Sequence, residues 1–218
     1  MKHPNQRVGI FIDTQNMYYS ARYLFKRKVN FKNIIEDGSS ERQLIRTLAY
    51  VVRTKTQEEQ PFFDALMNLG IELREKDLQE FLSGHKKADW DVGLAIDVVR
   101  MLDMLDVVVL VTGDGDFKPL VEFCQSRGRV VELFGFGETT SSMLLEVVDD
   151  YTNLSDNKRR YLIGPVAKDT KTKPPSKSKK VKGPEPESDE EIPAPDSFFM
   201  NMDGEDDQEV SRKRRLEF

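Results

Sequence analysis

The stretch VVVLVTGDGDFKPLV, residues 107–121, decides how this chain is read. The apolar residues Val107 to Val111 run straight into Thr112-Gly113-Asp114-Gly115-Asp116. A short, continuous apolar run bounded by glycines reads as a strand buried on both faces. DFKPLVEFCQSRG follows with helical spacing, so GDGD joins a strand to a helix and is not a hairpin turn. Gly113 and Gly115 are expected to let the backbone turn sharply without side-chain clashes. Two carboxylates at such a turn are either ordinary turn chemistry or ligands, and the other acidic residues decide between them.

Outward from this stretch, strand and helix patterns alternate. RVGIFID reads as a buried strand and TQNMYYSARYLFKR as a helix, with Met17, Ala21 and Leu24 on one face. NFKNIIE reads as a short helix, LIRTLAYVVR as a strand, and EEQPFFDALMNLG as a helix closed by Gly70. IELREKDL reads as a strand and ADWDVGLAIDVVRMLDML as a strongly apolar helix. RVVELFG is a further strand, TTSSMLLEVVDD the last clear helix, and YTNLS a final extended segment. Apolar strands alternating with helices predict an α/β fold of three layers, a central mostly parallel sheet with helices on both faces. Ligands of such sheets sit outside the C-terminal strand ends, where strand order reverses.

The acidic residues fall on that edge. Asp13 ends the first strand, and Asp114 and Asp116 follow the strand at 107–111. Asp91 opens the apolar helix and shares a face with Ala95, Val98 and Leu102, so it faces the sheet. Each Asp alone has a plain reading as a turn or capping residue. Four converging on one edge repel one another unless a cation or protons neutralise them. Oxygen ligands select Mg²⁺ or Mn²⁺ over Zn²⁺. Such cations polarise a phosphodiester, orient water and stabilise the departing oxygen. Asn16, in the first turn after Asp13, offers an amide to the same edge. Asp97 lies roughly two-thirds of a turn out of phase with Asp91 and ranks below the other four as a ligand.

Composition sets the limits. Formal net charge is -5 over 218 residues, so nucleic-acid contact has to be local or to rely on metal. The single cysteine, Cys124, forms no internal disulfide and reads as a buried structural thiol, which suits a reducing cytoplasm. His3 and His85 do not form a zinc pattern. No signal pattern or membrane-length apolar run occurs, so a cytoplasmic, membrane-free protein is expected. Residues 1–160 form the expected folded domain. Residues 161–218 form a Lys-rich, then acidic tail that buries too little apolar surface to order itself. Phe198-Phe199-Met200 in that tail is a candidate docking patch for a protein partner.

FIDTQNMY, KADWDVGLAIDVV and TGDGDFKPLVEFCQSRGRVVELFG, in this order, closely resemble the LabA-like group of NYN domains, relatives of PIN-domain nucleases. The resemblance spans about residues 7 to 154. It implies a PIN-like fold, a divalent-metal site and ribonuclease activity. The family's acidic positions fall on Asp13, Asp91, Asp114 and Asp116, with Asn16 as polar partner and Asp97 at a further acidic position. Thr14-Gln15 and the ADW before Asp91 depart from the commoner glycine-containing forms without removing a carboxylate.

The expected activity is Mg²⁺- or Mn²⁺-dependent hydrolysis of single-stranded RNA, with Lys87 and Lys118 as phosphate contacts and a homo-oligomer as a further expectation. The alternative is a non-catalytic module that binds metal and RNA while the tail recruits partners. A phosphatase of the haloacid dehalogenase type also places an Asp after its first strand, but its general acid two residues later is here Gln15.

Overall fold

The computed structural model describes residues 2–53, 59–80, 86–87 and 90–164. Its first half runs β1 (Arg7–Asp13), α1 (Thr14–Phe25), β2 (Lys28–Val29), α2 (Phe31–Ser39), β3 (Gln43–Arg53), α3 (Gln60–Asn68), β4 (Glu72–Asp77), β5 (Gln79–Glu80) and β6 (Lys86–Lys87). It continues through α4 (Asp91–Met101), β7 (Val107–Val111), α5 (Lys118–Ser126), β8 (Val130–Gly135), α6 (Ser142–Leu145), β9 (Asp150–Asn153), α7 (Lys158–Tyr161) and β10 (Leu162–Ile163).

The main sheet has six strands in the order β4-β3-β1-β7-β8-β9, and every ladder in it is parallel. The expected α/β architecture is therefore the one observed. From β1 the chain builds outward through β3 and β4, then returns to β7 on the other side of β1 and builds outward again. The direction reverses between β1 and β7, which makes their C-terminal ends the crevice where such sheets bind ligands.

Period-two alternation sends the central strands to two cores. Val8, Ile10 and Ile12 of β1, with Val107, Val109 and Val111 of β7, pack against Met17, Ala21, Ile34, Phe63 and Leu66 of α1–α3. Phe11, Val108 and Leu110 pack on the opposite face against Leu94, Val98 and Met101 of α4 and Leu120, Val121 and Cys124 of α5. All five residues of β7 are buried, which is why the strand reads as a continuous apolar run. Burying each such side chain contributes about 1.5–3 kcal/mol. A charge introduced at Val109, which pairs with Ile10 at the centre of the sheet, would remove its own share and leave an unsolvated group there.

Local signals explain the helix ends. Gly70 takes φ 77° after α3. Its N–H donates to the Met67 carbonyl, and the Ile71 N–H donates to the Leu66 carbonyl. These bonds satisfy the last carbonyls of the helix, as the glycine at this position predicts. Cys124 is buried, and that burial pushes its thiol up to about 11, in keeping with a structural role.

One expectation is corrected. TTSSMLLEVVDD is not one helix: α6 covers only Ser142–Leu145, and the segment turns into β9. The Asp149 N–H donates to the Val131 carbonyl, and β9 adds to the sheet beside β8. Strand pairing, invisible to helical periodicity, wins there. The sequence patterns also did not reveal the small antiparallel pair β2–β10, which ties the end of the described chain to the start of α2. The expected Lys-rich and acidic tail, with Phe198-Phe199-Met200, lies outside the described residues beyond Gly164.

Candidate metal centre

The site begins where β1 stops. Asp13 is its last residue and also caps α1: its carboxylate accepts from the Asn16 N–H at 3.0 Å. An Asp at this position satisfies an otherwise orphaned helix donor. Across the switch point, the buried Thr112 follows β7 directly. Its hydroxyl donates to the Asp13 carboxylate at 3.2 Å and accepts from the Asp114 N–H at 3.2 Å. One hydroxyl thus bridges the acidic ends of the two central strands. Burial pushes the Asp13 carboxyl above its ordinary range, and the nearby negative charge of Asp114 adds to the rise.

Asn16 joins the same two strands by another route. Its Oδ1 accepts from the backbone N–H of Gly113 at 2.9 Å. Gly113 is required here for space and not for a positive φ. A Cβ on it would lie 2.7 Å from the carbonyl oxygen of Thr139, whose loop crosses close by and is tied down by the Ser141 N–H on the Gly113 carbonyl. Asp114 then takes extended backbone angles and starts a short 3₁₀ turn, Gly115–Phe117, that leads into α5. Its carboxylate accepts from the Asp116 N–H at 2.9 Å. Capping bends the chain so that both Asp side chains rise from one edge.

Asp91 arrives from the second layer. Trp90 precedes it, and its indole N–H donates to the Val51 carbonyl of β3 at 2.9 Å. The ring packs 5.5 Å from the Tyr50 ring and covers the first turn of α4. A Cβ at Gly93 would lie 2.5 Å from that ring, so the glycine admits the indole. The start of α4 is thereby fastened to the sheet edge.

The consequence is a cluster. One carboxylate oxygen from each of Asp91, Asp114 and Asp116 lies within 4.8 Å of the others. Asp91 and Asp114 are half-buried and Asp116 is exposed. A divalent cation bound at about 2.0–2.6 Å separates its ligand oxygens by up to roughly 4–5 Å, so this donor set fits one such ion. Oxygen donors without histidine or cysteine favour a hard cation. Asp13 stands beside this trio, engaged with Asn16 and Thr112, and is not part of the close set.

The other sequence candidates lie elsewhere. Asp97 accepts from Arg74 at 2.9 Å and from the Tyr50 hydroxyl at 3.3 Å, and it lies 3.8 Å from Arg100. Its place is an ion-pair network against β3 and β4. Lys118 opens α5 close to the cluster in sequence, with its ammonium 3.9 Å from Glu122. Lys87 belongs to β6, and its side chain lies outside the described residues. Two residues that position the cluster, Thr112 and Trp90, were not singled out from the sequence. The polar residue ending VVVLVT and the indole just before Asp91 were the available signals.

A parallel sheet flanked on both faces, with aspartates gathered at its switch point, has the architecture of a PIN-like nuclease domain. The chain belongs to the NYN domain family, a PIN-like nuclease family, which it matches over residues 7–155. It is 29% identical over 161 residues to the Low amplitude and bright protein LabA of Synechococcus elongatus, covering 69% of this chain and 84% of that one. It also resembles a crystal structure of a protein of unknown function from Vibrio parahaemolyticus. That likeness has a TM-score of 0.68 and 27% identity, over 75% of this chain and 99% of the other. Among the described residues, no helix is long and apolar enough to cross a membrane.

Proposed function

We propose that this chain is a Mg²⁺- or Mn²⁺-dependent ribonuclease that hydrolyses phosphodiester bonds of single-stranded RNA at the switch point of its sheet. The observation that carries the reading is the close approach of Asp91, Asp114 and Asp116. Three carboxylates so near one another are mutually repulsive and become favourable around a cation. In this reading Asp91, Asp114 and Asp116 hold the ion, and Asp13 provides a fourth acidic group at its side. Asn16 and Thr112 keep the two central strand ends in register. Lys118, whose ammonium lies 3.9 Å from Glu122, is one proposed phosphate contact, and Lys87 is the second. When bound, the cation would supply Lewis-acid polarisation of the phosphodiester and a more acidic water. Residues 1–160 are the proposed catalytic domain, and residues 161–218 a tail for a protein partner.

The test is purified full-length protein with single-stranded RNA, with and without Mn²⁺, beside Asp114→Asn. Cleavage that needs the ion and is lost in Asp114→Asn is the expected result. Cleavage that survives Asp114→Asn would overturn the site. RNA binding without cleavage across several RNAs would favour the alternative, a non-catalytic metal- and RNA-binding module.

A further inference from the structure

We infer that the outer face of α1 is a track on which single-stranded RNA stacks and is led toward the carboxylate cluster. This rests on the nuclease reading above and assigns that site its approach surface.

At 100° per residue, Gln15, Tyr19, Arg22, Tyr23 and Lys26 fall on one side of α1, opposite the buried Met17, Ser20 and Ala21. The stripe starts beside the site, because Asp13 and Asn16 fix the first turn of this helix to the strand ends. It then runs about 16 Å along the outside of the domain. Tyr23 is 77% exposed, more than any other large hydrophobic residue among those described. Solvent exposure of a flat ring on a rigid helix gains nothing for folding and suits a stacking partner.

The charges of the stripe select that partner. The helix TQNMYYSARYLF contains no acidic residue. Arg22 is exposed one position before Tyr23, and the Lys26 ammonium lies 6.0 Å from the centre of the Tyr23 ring. At the helix end, the Lys158 ammonium sits 4.5 Å over the ring of the half-buried Phe25, and the exposed Arg159 follows it. In a chain of net charge -5, a basic strip interleaved with tyrosine is a local feature. Arg22 and Lys26 beside the exposed Tyr23 ring match a polyanion with unpaired bases, which offers phosphates to the cations and a π-face to the ring. A bare anionic surface would use the charges and leave the ring idle. A duplex would hide its bases from it.

The experiment measures binding of a labelled oligouridylate and of inorganic polyphosphate to the full chain by fluorescence anisotropy, with divalent ions chelated so that no RNA is cut. Tyr23→Ala should raise the Kd for oligouridylate at least about fivefold and leave polyphosphate binding unchanged, whereas Tyr23→Phe retains wild-type affinity for both. Arg22→Glu with Lys26→Glu should weaken both ligands and reduce the salt dependence of binding. Wild-type RNA affinity in all of these variants would overturn the track while leaving the nuclease reading intact. Equal weakening of RNA and polyphosphate by Tyr23→Ala would overturn the stacking role. Failure of the wild-type protein to bind or cleave any RNA would overturn both.

Discussion

The side-chain oxygen of Asn16 accepts a 2.9 Å hydrogen bond from the backbone N–H of Gly113, ninety-seven positions away in sequence. This bond spans the reversal of strand order and holds the end of β1 against the loop after β7. Thr112, bonded to both Asp13 and Asp114, is a second tie across the same gap. The acidic residues of the two strand ends are therefore set by polar bonds that a metal-free protein keeps.

Asn16→Ala removes the acceptor for a buried N–H. Leaving such a group unsatisfied costs about 1–3 kcal/mol. Urea denaturation should show a lower midpoint with an unchanged slope, and Mn²⁺ should bind more weakly. A midpoint within error of wild type would show that Gly113 finds another partner.

Trp90→Ala should loosen the start of α4 and with it Asp91. The indole donates to Val51 and packs on Tyr50, so its loss should cost about 2 kcal/mol, less than full burial of a large ring would suggest. Calorimetric titration with Mn²⁺ should show weaker binding at a temperature where circular dichroism still reports a folded chain. Trp90→Phe should recover part of the packing and none of the bond to Val51. Unaltered Mn²⁺ affinity in Trp90→Ala would remove the indole from the positioning of Asp91.

Two aspartates should give the metal-free protein opposite pH dependences. Arg7 holds the Asp106 carboxyl down at about 2 through paired side-chain bonds and a backbone N–H. Its folded value lies below its unfolded value of about 3.9, so the stability it adds is present above that pH. It is lost as pH falls toward about 2. The stability difference between wild type and Asp106→Asn should accordingly be largest near neutrality and shrink across that window. Asp13 behaves in reverse, because burial raises its carboxyl. The unfolded chain ionises first as pH rises, so stability falls from the unfolded value upward and stays lower once the folded carboxyl has ionised. Asp13→Asn should lack that fall. Parallel denaturation curves for wild type and Asp13→Asn over the acidic range would contradict the assignment.

The architecture was legible because burial on both faces leaves a direct mark on composition. VVVLV has no polar face to alternate with, and only a strand inside a covered parallel sheet tolerates that. The helix cap at Gly70 was legible for a similar reason, since it answers a local backbone requirement. TTSSMLLEVVDD is not one helix because the chain turns after Leu145 and its last residues, Asp149 and Asp150, bond to β8, and pairing with a distant strand leaves no local period.

The sequence by itself determined a parallel α/β domain and put Asp13, Asp114 and Asp116 at strand ends, because strand periodicity and turn chemistry act between near neighbours. Only the tertiary structure decided which carboxylates meet. It joined Asp91 to Asp114 and Asp116, set Asp13 beside them against Thr112, and placed Asp97 in an ion pair with Arg74. Those distances depend on how α4 seats on the sheet through Trp90 and on how β1 lies against β7. Both are contacts between residues far apart in the chain, and no spacing within it encodes them.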